Sequence, residues 1–299
     1  MAILLALITS ATWGTSDFFG GLAARRDPVA RVMLWAHGLG LVAIAACAPF
    51  LAERIIGRDL IIGVAAGLIG LVGLLLLYES LSRGPMALIA PLSAVTAALV
   101  PVLWGLRSND PLSNTTLIGL LLGLAAVVAI SWEGADSINS NGSEPNNRAS
   151  NNGASESSEF DPKVVAAAIV AGTCFGSIVL LYDATDAASA PWPIVSGRAA
   201  TTLLLIGFAL ARRQPLAPGE SFGFAVVAGL GDTFANVTLL AATSVAVGSS
   251  ELSVVAVVTA FYPAATVIWA RVMLHERLGP IRIAGLCIGM SAVALMTLG

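Results

Sequence analysis

The sequence is poor in charge: only 11% of its 299 residues are Asp, Glu, Lys or Arg. Soluble domains carry about a quarter, because their surface must be wetted. So few charges cannot coat a soluble protein of this length, but they suffice where lipid is the main solvent. A basic cluster is also missing and the net charge is −3, which leaves no electrostatic footprint for nucleic acid. The three cysteines, Cys47, Cys174 and Cys287, stand far apart inside apolar stretches. That spacing excludes a disulfide framework or a CxxC metal site, and buried packing is expected for each. No GxxxxGK[ST] loop occurs, so ATP is not the energy source and no cofactor is expected. The first apolar stretch lacks a basic n-region and is interrupted by Asp17, so it reads as a spanning helix and not as a signal peptide. Period-two alternation is absent too, which excludes a barrel. Helices are the other fold that satisfies every backbone group within lipid.

What is present is hydrocarbon: 57% of residues are hydrophobic and the mean hydropathy is +0.88. Apolar runs separated by charge and turn clusters place helices at roughly 2–21, 29–51, 60–80, 86–106, 113–132, 163–182, 191–211, 221–243, 250–272 and 280–298. Between Glu133 and Pro162 the composition turns to Asn, Ser, Gly and acid. Such a stretch cannot bury enough surface to offset its ordering entropy, so it reads as a flexible linker. The linker divides the chain into 1–132 and 163–299. The halves are alike: Leu112/Leu278, Gly119/Gly285, Leu120/Leu286, Gly123/Gly289, Ala126/Ala292 and Val127/Val293 all stand 166 residues apart. Trp104/Trp269 and Gly14/Gly176 are close to that spacing. Five is odd, so a duplicated five-helix unit must insert its second copy upside down. The expected fold is an all-α integral membrane protein of ten transmembrane helices in two inverted five-helix repeats, the arrangement of secondary carriers.

Particular residues carry a resemblance to a known family. Trp13-Gly14 lies in the first helix, Gly84-Pro85 opens the fourth and Arg198 lies in the seventh. His275-Glu276-Arg277-Leu278, followed by Gly285 and Gly289, resembles the E-(R/K)-(L/P)-(T/S)…G…G segment of the EamA-type proteins of the drug/metabolite transporter superfamily. The first half departs from that pattern, with Asp110-Pro111 in place of the acid-basic pair. The resemblance implies ten helices, inverted repeats, a cavity lined by helices one to four and six to nine, and export or exchange of small metabolites. It implies no enzyme activity, and it implies cytoplasmic termini. The arginines point the other way. With a cytoplasmic N-terminus the inner loops hold Arg54, Arg58 and Arg107, while Arg25, Arg26, Arg31, Arg83, Arg148, Lys163, Arg212, Arg213, Arg271, Arg277 and Arg282 fall outside, against the positive-inside rule.

Ionisable groups inside spans cost several kcal/mol and are functional candidates. Asp232 lies about eleven residues into the eighth helix, roughly 16 Å at 1.5 Å per residue, and Arg198 about seven into the antiparallel seventh, so the two can meet. Asp232 reads as a proton-coupling or cation-binding carboxylate and Arg198 as a carboxylate anchor. A static pair holding the two helices together is the equal alternative. Asn236 stands one turn beyond Asp232 on the same face. His37, a third of the way into the second helix, suits proton coupling, or packing against a neighbour's carbonyl. Asp17 and Glu79 share a membrane side with Arg31 and Arg83, and an interfacial ion-pair cluster is the favoured reading. Trp13, Phe175 and Tyr262 sit in mid-helix, away from the interfaces that Trp and Tyr prefer; a cavity wall or core packing both account for this. Glu251 reads as a helix N-terminal cap. Gly119-xxx-Gly123 and Gly285-xxx-Gly289 suit helix packing or a homodimer.

Tyr182-Asp183 and Gly229-Leu230-Gly231-Asp232 look like the YD and GxGD signatures of intramembrane aspartyl proteases. However, a whole helix lies between the two motifs, and Asp183 falls at a helix end. The expected partners are therefore a small metabolite and the lipid bilayer of the cytoplasmic membrane, with transport by alternating access driven by a proton or substrate gradient.

Overall fold

The computed structural model describes residues 1–83, 86–107, 113–131, 162–273 and 279–298. The linker up to residue 161, Gly84-Pro85, Asp110-Pro111 and the motif His275-Glu276-Arg277-Leu278 lie outside the described residues. The elements are α1 (Ala2–Ala24), α2 (Val29–Leu51), α3 (Gly57–Arg83), α4 (Met86–Arg107), α5 (Asn114–Ser131) and α6 (Pro162–Asp183), then a 3₁₀ turn (Ala187–Ser189). There follow α7 (Trp192–Ala211), α8 (Phe222–Val245), α9 (Gly248–Thr259), α10 (Tyr262–Met273) and α11 (Pro280–Leu298). No strand occurs among the described residues. Among the described residues seven stretches are long and apolar enough to cross a membrane: α1, α2, residues 57–77 of α3, α6, α7, α8 and residues 250–273. Residues 92–107, 114–129 and 283–296 are shorter apolar helices.

The expected ninth helix is two. Proline has no N–H to donate and its ring crowds the carbonyl one turn back, so Pro263 ends the α9 ladder and starts α10. The gap is closed by Phe261 N–H to Val258 O (3.2 Å) and Ala264 N–H to Phe261 O (2.8 Å). A second departure concerns the cysteines: Cys47 and Cys287 are exposed and Cys174 half-buried, all as free thiols. On a lipid-facing surface a thiol needs no burial, since hydrocarbon surrounds it in either place. Large side chains such as Leu203 and Leu204 on α7, and Leu117, Ile118 and Leu121 on α5, are exposed for the same reason.

Close contacts give each pair its direction. Thr9 meets Thr238 and Ser16 meets Ala228, so α1 runs antiparallel to α8. Gly70 lies against Ile178 and Gly73 against Cys174, so α3 runs antiparallel to α6. Gly229 abuts Ala36 and Thr233 abuts Gly40, which makes α2 and α8 parallel. Gly63 abuts Pro193 and Gly67 abuts Gly197, which does the same for α3 and α7. The helix pairs α1–α8, α2–α8 and α1–α10 recur as α6–α3, α7–α3 and α6–α4 when the halves are exchanged, while α2–α7, α4–α9 and α5–α11 map onto themselves. Two glycines mark the correspondence. A β-carbon at Gly14 would run into the Tyr262 carbonyl, and one at Gly176 into the Ala97 carbonyl. Gly119, Gly123 and Gly289 are taken up by contacts with Met296, Val257 and Ala126 within the chain.

Candidate functional site

The site grows from α8. Asp232 lies in the middle of this helix, where its side chain is 35% exposed, and faces the 7% exposed guanidinium of Arg198 on α7. The two form an ion pair through Arg198 Nη2 and Asp232 Oδ2. Arg198 keeps its charge under all accessible conditions, so burial at this depth demands a carboxylate beside it. The other carboxylate oxygen accepts from the indole N–H of Trp13 on α1 at 2.9 Å. Trp13 thus closes the group from the opposite half of the chain. Asn236, one turn on, donates to the Asp232 carbonyl (2.8 Å) and, at 3.4 Å, to its carboxylate. The Asn236 amide oxygen in turn accepts from the Tyr182 hydroxyl at the end of α6 (3.1 Å). Four helices therefore contribute to one polar network inside an apolar bundle: α1, α6, α7 and α8.

His37 on α2 reaches its edge. Its Nδ1 lies 2.8 Å from the Thr201 hydroxyl, one turn beyond Arg198. The histidine finds a hydroxyl and not the expected carbonyl, and Thr201 itself bonds back to Gly197 O (3.0 Å) and Arg198 O (3.1 Å). Tyr262 begins α10 directly after the helix break and packs its backbone on Gly14. Thr266 fixes that contact by donating to Gly14 O at 3.0 Å. The Tyr262 backbone therefore meets α1 at Gly14, the residue that follows Trp13.

Among the described residues no ion pair joins Asp17 to the rest of the expected cluster. Arg31 pairs with Asp27 at 3.1 Å instead, because Asp27 precedes it by one helical turn and lies in the connecting loop. Asp17 is exposed, on the same face of α1 as Trp13 and one turn further on, with no hydrogen bond or ion pair among the described residues. The Glu79 and Arg83 side chains lie outside the described residues. Glu251 caps the start of α9, taking the Val247 N–H at 2.9 Å. Asp183 is exposed at the end of α6, and no hydrogen bond joins it to Asp232. Two carboxylates that must share a proton are not brought together, and the protease reading has no support in this geometry.

Two residues of the network carry little signal in the sequence. Tyr182 stood out only as part of a protease-like dipeptide, and Thr201 had no signal beyond a position three residues after Arg198.

The sequence profile of the EamA-like transporter family matches residues 1–132 and 162–298. The chain belongs to the EamA-like transporter family. Membership makes it a multi-pass membrane transporter of the drug/metabolite transporter superfamily and, at family level, not an enzyme. An uncharacterized protein of Methanocaldococcus jannaschii is 25% identical over 135 residues, which are 44% of this chain and 96% of that protein. One solved crystal structure has the same fold, with a TM-score of 0.71 at 16% identity over 99% of this chain and 96% of the other.

Proposed function

We propose that this EamA-like protein is a secondary carrier that exports or exchanges a small metabolite across the cytoplasmic membrane by alternating access. The α9–α10 pair is read as one broken span, which gives ten spans, and the halves 1–132 and 163–299 are read as inverted five-helix repeats. Two findings support the repeats: the family profile matches two segments separated by the linker, 1–132 and 162–298, and α1 runs against α8 while α3 runs against α6. A relative whose length matches under half of this chain fits a single repeat.

The observation that carries the transport reading is the Arg198–Asp232 pair, set at mid-helix depth and closed by Trp13 from the other half. A purely structural fastener gains nothing from being part open, yet Asp232 keeps 35% of its side chain accessible. In the proposed mechanism a substrate carboxylate competes with Asp232 for the Arg198 fork, since guanidinium binds carboxylates bidentately. Asp17, with no hydrogen bond or ion pair among the described residues, provides a carboxylate for a proton or cation, while Trp13 and Tyr262 line the path. His37 and Asn236 orient the two charged groups. Arg198→Ala is then expected to weaken acidic substrates far more than neutral ones in vesicle uptake. Equal loss for both would remove the anchor role. Asp232→Asn and Asp17→Asn separate the coupling roles: the coupling residue is the one whose loss abolishes uphill transport and leaves exchange measurable.

A further inference from the structure

Two hydrogen-bonded clasps lie at opposite ends of the bundle. At one end Asp27, in the α1–α2 connection, accepts from the Ser221 hydroxyl (2.5 Å) and backbone N–H (2.8 Å) at the start of α8. At the other, Asp59, near the start of α3, accepts from the Ser189 hydroxyl (2.6 Å) and the Asp186 N–H (3.0 Å) of the α6–α7 connection. The second clasp is reinforced by Glu53 and Arg54 N–H groups on the Ala188 carbonyl (3.0 and 3.1 Å). Ser189 stands 162 residues after Asp27, and Ser221 the same 162 after Asp59. Gly14 and Gly176 share that spacing. The clasps therefore occupy equivalent positions in the two halves, with the carboxylate and the hydroxyl exchanged.

Each clasp fastens the end of one parallel helix pair, α2–α8 or α3–α7. In both pairs the backbones touch at glycine, Gly229 on Ala36 and Gly67 on Gly197, so sliding either pair would force atoms together. The His37–Thr201 contact joins α2 to α7, and the four helices form a continuous row, α8–α2–α7–α3. Both clasps are closed in the same structure.

Building on the transport reading, we infer that these clasps are two copies of one fastener that stay closed throughout the cycle, so that the α8–α2–α7–α3 row is a fixed frame. Access to Arg198 and Asp232 then alternates through the flanking helices α1, α4, α6 and α9–α10. The latter carry the proline break.

The test needs no known substrate. In a background with all three cysteines replaced by serine, Asn236→Cys provides a reporter thiol in the site. Membrane-impermeant maleimide is applied to right-side-out and inverted vesicles. The reporter is expected to be labelled from both faces, and to remain so after oxidative cross-linking of Asp27→Cys/Ser221→Cys or of Asp59→Cys/Ser189→Cys. Loss of labelling from the cross-linked face alone would make that clasp a gate and overturn the inference. A reporter labelled from one face only before any cross-link would instead refute alternating access, and the inference would fall with it. If the cysteine pairs do not fold, Asp27→Ser/Ser221→Asp recreates at one face the arrangement found at the other. It is expected to label from both faces, and loss at one face overturns the proposal.

Discussion

Stranding one member of the Arg198–Asp232 pair should have unequal consequences. Asp232→Asn leaves the 7% exposed guanidinium without a countercharge, and arginine cannot shed its proton. Removing one partner of a buried pair costs about 3–5 kcal/mol. Asp232 is a third exposed, so the lower end applies, about 3 kcal/mol or a little over two powers of ten in the folding equilibrium. Arg198→Met leaves the carboxylate instead. That group keeps the Trp13 and Asn236 donors and has access to water. Its loss should be clearly smaller. Arg198→Met/Asp232→Leu removes both charges at similar volume and should recover most of the stability while abolishing transport. The assay is the fraction of monodisperse protein surviving heating in mild detergent, paired with flux in vesicles. Equal losses for the two single variants would rule out this asymmetry, and a transport-competent double variant would remove the role of the pair.

Other perturbations test single contacts. Trp13→Phe keeps an aromatic face of smaller size but removes one charge-assisted hydrogen bond, about 1.5–3 kcal/mol, and should reduce flux more than it reduces the yield of folded protein. Gly176→Ala should prevent folding, because its β-carbon meets the Ala97 carbonyl, whereas Gly207→Ala has open space and should be neutral or slightly stabilising; detergent-solubilised yield distinguishes the two. The Ser221 hydroxyl and N–H, with Arg31 beside them, hold the Asp27 carboxyl below its ordinary value. A group held low stabilises the fold above the unfolded pKa of about 4 and loses that contribution as pH falls through the lower folded value. Thermal midpoints should therefore drop in acid for the unmodified protein, with a shallower drop for Asp27→Asn.

Much of the helical layout is legible in the sequence because lipid imposes it: an apolar run of about twenty residues has one way to satisfy its backbone. The helix ends fell within a few residues for that reason. The α9–α10 break was missed because hydropathy does not register a proline, and Pro263 lies in a run apolar on both sides. The Arg198–Asp232 meeting followed from depth along two antiparallel helices, a one-dimensional argument. What one dimension cannot carry is the interleaving of the halves. Trp13 reaches Asp232 across 219 positions of sequence, and Tyr182 reaches Asn236 only because α6 crosses α8. The partner of Arg31 lay beyond one dimension too: sharing a membrane side with Asp17 is not sharing a neighbour, and Arg31 pairs with Asp27 within its own turn.

The most direct measurement of the central claim compares metabolites inside and outside cells producing the unmodified protein with those producing Arg198→Met/Asp232→Leu at equal membrane levels. At least one small metabolite should be redistributed across the membrane by the unmodified protein alone. Identical profiles from both, with both proteins folded and inserted, would contradict it.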